Sequence, residues 1–218
     1  FSGQARLLLD EAGFPEAKIY ASNDLDEYII SSLKTQDAAI DVWGVGTKLV
    51  TAFDQPALGA VYKLSAIKNE AGDWVPKVKV SQQSLKINIP GIHKVRRYFS
   101  KGKAVADMIY LEGQAIDSKG IMIIDPNDAT QRKRLMPAFY EEEELLKPIF
   151  RKGELVYSLP SLQKIRERAG VQLEGFDKTH KRLTNPHVYP VGLEEHLHHL
   201  RMELVIAAKN SQNDKNEV

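Results

Sequence analysis

Ile40-Asp41-Val42-Trp43-Gly44-Val45-Gly46-Thr47-Lys48-Leu49-Val50-Thr51 is the stretch whose reading decides the fold. It opens as a short apolar run suited to a buried strand, then breaks into Gly-Val-Gly-Thr, a tight turn with bare backbone N–H groups. At the C-terminal end of a parallel strand such a turn is a natural cradle for a phosphate. Gly44 and Gly46 carry no Cβ, so the backbone there is free to take φ > 0 and to approach an anion closely. Thr47 adds a hydroxyl donor and Lys48 a charge. Four residues make a short motif, and the same turn also serves as a plain strand-to-helix link with no ligand.

Working upstream, residues 5–12 read as a helix closed by Gly13, with Phe14-Pro15 as the turn. Lys18-Ile19-Tyr20-Ala21 is a short strand. Ser22-Asn23-Asp24 follows, and any of the three can cap the next helix, which runs from about residue 25 to 33 with Leu25, Ile29 and Leu33 on one stripe. Thr35-Gln36-Asp37 breaks that helix before the strand at 40–43. The order over residues 5–47 is therefore α-β-α-β with short links. That spacing predicts parallel strands joined by crossovers, as in a barrel or a doubly wound sheet. In either architecture the loops after the strands form the active face, so Ser22-Asn23-Asp24 and Gly44 to Thr47 belong side by side at one rim.

Downstream the pattern changes to strands separated by turn residues. Candidates are 57–67, 74–81, 85–89, 93–99, 108–112 and 120–124, with turns at Asn69 to Asp73, Pro90-Gly91, Lys101-Gly102, Asp117-Ser118 and Pro126-Asn127. Residues 128–152 carry a basic block, Gln131-Arg132-Lys133-Arg134, and an acidic one, Glu141 to Glu144, which read as solvated faces. Helices follow near 161–169 and 193–209, and the polar stretch 210–218 is expected to fray. The segments are a first portion over 1–68, a β-rich segment over 69–127 and a mixed region with helices over 128–218.

The chain has 218 residues, 43% hydrophobic and 27% charged, an ordinary balance for a protein with a core. A net charge of +1 offers no global field for nucleic acid or a membrane. Cysteine is absent, which removes disulfides, thiolate metal sites and a cysteine nucleophile, and fits a reducing compartment. No apolar run approaches the roughly 18 residues of a transmembrane helix, and no signal peptide is visible. Phe1-Ser2-Gly3-Gln4 runs at once into a helical pattern without an initiator Met, so a fragment of a longer chain is expected.

Other candidate chemistry is weaker. Glu195 and His199 are i,i+4 neighbours on a helix, but the spacing is not His-Glu-x-x-His and no third ligand is identifiable, so His196, His198 and His199 read as a solvated helix face. Asp24, Asp26 and Glu27 crowd one helix start, where carboxylates cap the helix and favour its dipole. Lys94, Arg96 and Arg97 alternate on a strand, either towards a phosphate or as an exposed face. No serine–histidine–aspartate order and no P-loop lysine are present, and no metal site is expected.

Lys18-Ile19-Tyr20-Ala21-Ser22-Asn23-Asp24-Leu25-Asp26-Glu27, followed by Val42 to Thr51, resembles the C-terminal half of the nicotinate phosphoribosyltransferase family. Asp54-Gln55-Pro56-Ala57-Leu58-Gly59-Ala60-Val61-Tyr62-Lys63-Leu64 continues the likeness, and Asn185-Pro186-His187-Val188-Tyr189-Pro190-Val191 is similar to that family's C-terminal segment. The likeness is specific over residues 1–67 and looser beyond. It implies the C-terminal part of an irregular TIM-like α/β barrel of the type II phosphoribosyltransferases, followed by a β-rich segment and C-terminal helices. It implies nicotinic acid and phosphoribosyl pyrophosphate as substrates, nicotinate mononucleotide and pyrophosphate as products, and Mg²⁺ and ATP as cofactors. A cytoplasmic location and a candidate homodimer go with it.

Carried over residue by residue, Gly46 and Thr47 would hold the 5′-phosphate of the ribose, with Ser22, Asn23, Asp24 and Gly44 at the neighbouring rim. The family's phosphorylated histidine, its nicotinate-binding arginine and its Arg-Ile-Asp-Ser-Gly-Asp strand have no counterpart here, and none of the six histidines matches that context. The catalytic residues are therefore expected upstream, and the isolated chain is expected to be inactive. A related transferase acting on nicotinamide or quinolinate, and a non-catalytic phosphate-binding module, are the competing expectations.

Overall fold

The structure is a computed structural model that describes all residues but 58, 82–85, 118, 217 and 218, with side chains through residue 211 at the C-terminal end. The chain divides into two compact units, Phe1–Val61 and Tyr62–Val218. The sequence reading set three segments, and the main sheet of the second unit draws strands from both of the later two.

The first unit has the expected order: α1 (Ser2–Glu11), β1 (Tyr20–Ser22), α2 (Glu27–Thr35), β2 (Val42–Gly44) and the short α3 (Thr47–Val50). Two bonds close α1, Gly13 N–H to Asp10 O at 3.0 Å and Phe14 N–H to Leu9 O at 2.8 Å, the pattern that satisfies the last carbonyls of a helix. β1 and β2 pair in parallel. The Asp41 carboxylate reinforces them by accepting the Ile19 N–H at 2.8 Å. The cap of α2 is Asp26 rather than Ser22, Asn23 or Asp24: its carboxylate accepts the Ile29 N–H at 2.7 Å. Because the helix starts at Glu27, Leu25 precedes it as a buried residue, Ile29 faces outward, and Ile30 and Leu33 are the half-buried positions.

The second unit opens with β3 (Ala66–Lys68) and β4 (Trp74–Pro76), an antiparallel pair. The strands expected over 57–67 and 74–81 shrink to these, and residue 58 lies outside the described residues. Strand propensity makes no strand where no neighbour completes the ladder. Beyond Pro76 the buried Asn88 takes the ladder's place: its amide donates to Leu64 O and Lys77 O, both at 2.9 Å, and its oxygen accepts the Lys79 N–H at 2.6 Å. Residues 86–89 are not a strand, and residue 85 of that expected element, like Ser118 of the expected turn, lies outside the described residues.

The main body is β5 (His93–Ser100), β6 (Lys103–Leu111), β7 (Ile121–Ile124), β8 (Arg132–Leu135), β9 (Glu141–Glu144), the small hairpin β10 (Phe150–Arg151) and β11 (Glu154–Leu155), α4 (Leu162–Glu174), β12 (Val191–Glu194) and α5 (Glu195–Asn216). Six strands make one sheet in the order β8-β7-β12-β6-β5-β9. The charged blocks expected only as solvated faces are its two edge strands: β8 buries Leu135, and β9 sets Glu142 and Glu144 against Arg96. The last strand in chain order, β12, sits between β6 and β7, parallel to the first and antiparallel to the second. Leu193, expected in a helix, belongs to it.

Ala104, Ala106, Met108 and Tyr110 alternate along β6 and are buried with Tyr98, Ile121, Ile123 and Leu135, the period-two signature of a sheet with a covered face. α5 lies against β7 and β12, burying Leu197, His198, Arg201 and Val205. It continues through Asn216, past the point where fraying was expected. The fold is thus mixed α/β and dominated by sheet. Among the described residues no helix is long and apolar enough to cross a membrane.

Candidate functional site

Ser22 and Gly44 are register partners at the ends of β1 and β2, so the loops that follow leave the sheet at one edge. This brings Ser22, Asn23 and Asp24 beside Gly44, Gly46 and Thr47. The reason for glycine at 44 is close approach: a Cβ there would lie 3.2 Å from the Ser22 Cβ and 3.4 Å from Ala21 O. Neither Gly44 nor Gly46 takes φ > 0, contrary to the sequence reading. The left-handed residues of the rim are Asn23 at φ 89° and Asp24 at φ 46°. Asparagine and aspartate tolerate that region best among residues with side chains, so the sharp turn after β1 is carried by those two.

Gly46 opens α3, and its carbonyl accepts the N–H groups of Leu49 and Val50, each at 3.1 Å. The N–H groups of Thr47 and Lys48 stand ahead of the first helical bond, and among the described residues neither they nor the Thr47 hydroxyl has a hydrogen-bond acceptor. All six rim residues are exposed, and a Cβ built on Gly46 meets nothing within 4 Å. Space and unbonded donors therefore coincide at Gly46 and Thr47.

Lys48 does not extend this donor set. Its ammonium lies 2.5 Å from the Asp26 carboxylate, which also caps α2, and 5.5 Å from the centroid of the Phe53 ring. The Lys48 hydrogen bond and then the Ile29 N–H hold the Asp26 carboxyl below the ordinary aspartate range, and Asp26 in turn raises Lys48. One ion pair thus ties the loop after β1 to the helix after the Gly-Val-Gly-Thr turn. The adjacent cavity, about 520 Å³, is lined by Leu25, Asp26, Ile30, Val45, Lys48 and Phe53 among others, and by none of the six rim residues. Sequence reasoning named both charges without joining them, because 22 residues separate them and neither periodicity nor motif links such positions.

The remaining candidates take structural roles in the second unit. Lys94 pairs with Glu112 at 3.1 Å, and Arg96 grips Glu144 at 2.6 Å and Glu142 at 3.0 Å. Arg97 holds both oxygens of Asp107 at 2.8 and 2.7 Å, with its guanidinium 4.9 Å from the Phe176 ring centroid and the Tyr189 hydroxyl donating to the same carboxylate at 2.8 Å. Carboxylates engage both arginines, so this strand is not a bare exposed face. His196 and His199 are exposed as expected, but His198 is buried and burial pushes its pKa down. Among the described residues no group of three or more histidine or carboxylate side chains comes together to hold a metal ion.

Residues 92–201 match the family described as the nicotinate phosphoribosyltransferase C-terminal domain. The chain is 41% identical over 212 residues to the nicotinate phosphoribosyltransferase of Bacillus subtilis (strain 168), covering 96% of this chain and 43% of that protein. It is 36% identical over 187 residues to the one from Caenorhabditis elegans, covering 85% of this chain and 32% of that protein. It is also similar to the crystal structure of human nicotinic acid phosphoribosyltransferase, with a TM-score of 0.61 and 26% identity over 92% of this chain and 35% of that one. The chain spans less than half the length of these relatives.

Proposed function

The chain belongs to the nicotinate phosphoribosyltransferase family, and on that premise we propose that it is the phosphate-holding part of an enzyme that joins nicotinic acid to phosphoribosyl pyrophosphate. The products are nicotinate mononucleotide and pyrophosphate, and ATP hydrolysis drives the reaction, in the synthesis of NAD. The observation that carries the reading is the rim at the ends of β1 and β2, where the unbonded donors of Thr47 meet the open space at Gly46.

In this reading the Gly46–Thr47 turn binds the ribose 5′-phosphate through backbone N–H groups and the Thr47 hydroxyl. Ser22, Asn23 and Asp24 face the ribose, and Gly44 lets the two strand ends close up beneath them. Displacement at the ribose C1 builds positive charge on the sugar as pyrophosphate leaves, so a fixed 5′-phosphate turns remote binding energy into orientation of the reacting carbon. The groups that meet nicotinic acid and the leaving pyrophosphate belong to the remainder of the protein. Mg²⁺ and ATP accompany the family reading. Among the described residues no cluster of histidine and carboxylate side chains is suited to a resident metal ion.

The fold of the first unit fits part of an irregular TIM-like barrel, which the parallel β1–β2 pair with α2 between its strands supports. A homodimer in the cytoplasm is part of the same proposal, and sizing of the parent protein with its location in cell fractions tests it. The activity is tested by pyrophosphate release from the intact parent protein, given phosphoribosyl pyrophosphate, Mg²⁺ and ATP with nicotinic acid, nicotinamide or quinolinate in separate reactions. Turnover with nicotinic acid alone is the expected result. Turnover with another acceptor moves the specificity, and none with any acceptor leaves the rim a binding site without transferase chemistry.

A further inference from the structure

His187, Val188 and Pro190, from the segment that the proposed transfer does not use, line an open groove of about 690 Å³ in the second unit, together with Lys103, Lys133, Asp177 and His180. Its place in the fold follows from the sheet register. β12 joins β6 only from Val191 opposite Asp107, so the first residues of β6 have no β12 partner on that side. Lys133, on β8, reaches the same stretch of β6 by donating to Val105 O at 2.9 Å. His187, Val188 and Pro190, with Thr179 and His180 of the turn Lys178–Lys181, complete the wall.

The wall is unbalanced in charge. Lys133 has a carbonyl as its acceptor and no carboxylate within ion-pair distance among the described residues, and burial pushes its pKa down. An ammonium withdrawn from water without a counter-charge is costly unless an anion offsets it. Lys103 likewise donates to a carbonyl, Glu174 O at 2.7 Å. Each ammonium therefore keeps donors beyond that single bond. The one carboxylate of the wall, Asp177, is engaged by the Thr179 N–H at 2.9 Å and the Thr179 hydroxyl at 2.7 Å. His180 holds its Nδ1 2.8 Å from His187 O.

We propose that this groove of the second unit is an anion site, in which Lys103 and Lys133 bind a phosphate group. The phosphate is either the free ion or the tail of a nucleotide. The proposal does not depend on the transferase reading.

The test is equilibrium dialysis of the intact parent protein against labelled orthophosphate at low ionic strength, for the wild type, Lys133→Met, Lys103→Met and Thr47→Ala. Unchanged far-ultraviolet circular dichroism and thermal midpoint certify each variant, and the exposed Lys103 keeps the test available should Lys133→Met fail to fold. Each lysine variant is expected to weaken one class of phosphate site roughly tenfold, one charge-assisted bond's worth. Thr47→Ala is expected to leave that class intact, which separates this site from the proposed reaction. Competition by ATP would assign the site to a nucleotide's phosphates, and its absence to the free ion. Isotherms of both lysine variants that superimpose on the wild type would overturn the proposal.

Discussion

Lys48 lies 2.5 Å from Asp26, so the lysine that follows the Gly-Val-Gly-Thr turn binds the cap of the neighbouring helix instead of standing over the turn. The pair fixes the relation between the two loops of the rim. Lys48→Met is expected to loosen that relation while leaving the α2 cap in place. In the intact enzyme it should raise the KM for phosphoribosyl pyrophosphate severalfold with kcat little changed, the mark of lost ground-state positioning. Lys48→Arg, which keeps the charge, should restore most of it. Steady-state kinetics of the two variants check this, and a KM unmoved in Lys48→Met would remove Lys48 from the site.

Thr47→Ala deletes a hydroxyl that has no acceptor among the described residues. Its loss should leave folding intact and cost about 1–3 kcal/mol in binding of phosphoribosyl pyrophosphate, the worth of a hydrogen bond to a charged group. Gly46→Val should cost more, because its side chain enters the open space assigned to the phosphate. Titration calorimetry with phosphoribosyl pyrophosphate measures both. Wild-type affinity in the two variants would count against the rim as the phosphate site.

Two carboxylates of the first unit give its stability a pH dependence. Asp26, bonded to Lys48 and the Ile29 N–H, and Asp41, bonded to the Ile19 N–H, both sit below the ordinary aspartate value of 3.8. A lowered folded-state pKa contributes stability that is fully present above the unfolded value and is lost as pH falls through the folded one. The thermal midpoint should therefore be flat near neutrality and decline below about pH 4. Asp26→Asn and Asp41→Asn should each flatten that decline in a thermal scan across pH.

Gly192 tests the insertion of β12. A Cβ at this position would lie 2.5 Å from Ile124 O and 2.7 Å from Ile124 C, both backbone atoms that no side-chain rotation can clear. Gly192→Ala should cost about 1–3 kcal/mol, the range of overpacked sites, measured by urea unfolding. An alanine variant as stable as the wild type would mean that β12 does not approach β7 this closely.

Residues 5–47 carried their own architecture. The alternation of helical and strand patterns, with links of a few residues, dictated parallel strands, and parallel strands place their following loops at one edge. Ser22 opposite Gly44 bears this out. The Gly-Val-Gly-Thr turn and its flanks also carried the resemblance to the family, while the match to the family's C-terminal domain lies further on, over residues 92–201. These are local signals, readable because each depends on neighbours a few residues away.

Long-range pairing was decided only in three dimensions. A strict hairpin around Lys101-Gly102 sets Arg97 against Ala106. The bulge between Tyr98 and Phe99 shifts the ladder by one residue and sets Arg97 against Asp107, which creates the paired carboxylate that Tyr189 also binds. Leu193 and Glu194, which read as the start of a helix, became the end of β12 because β6 and β7 offered two unpaired edges to fill. Periodicity reports which face of an element is apolar. It carries no information about which distant strand, cap or carboxylate will meet that element, since those partners are selected by the packing of the whole sheet.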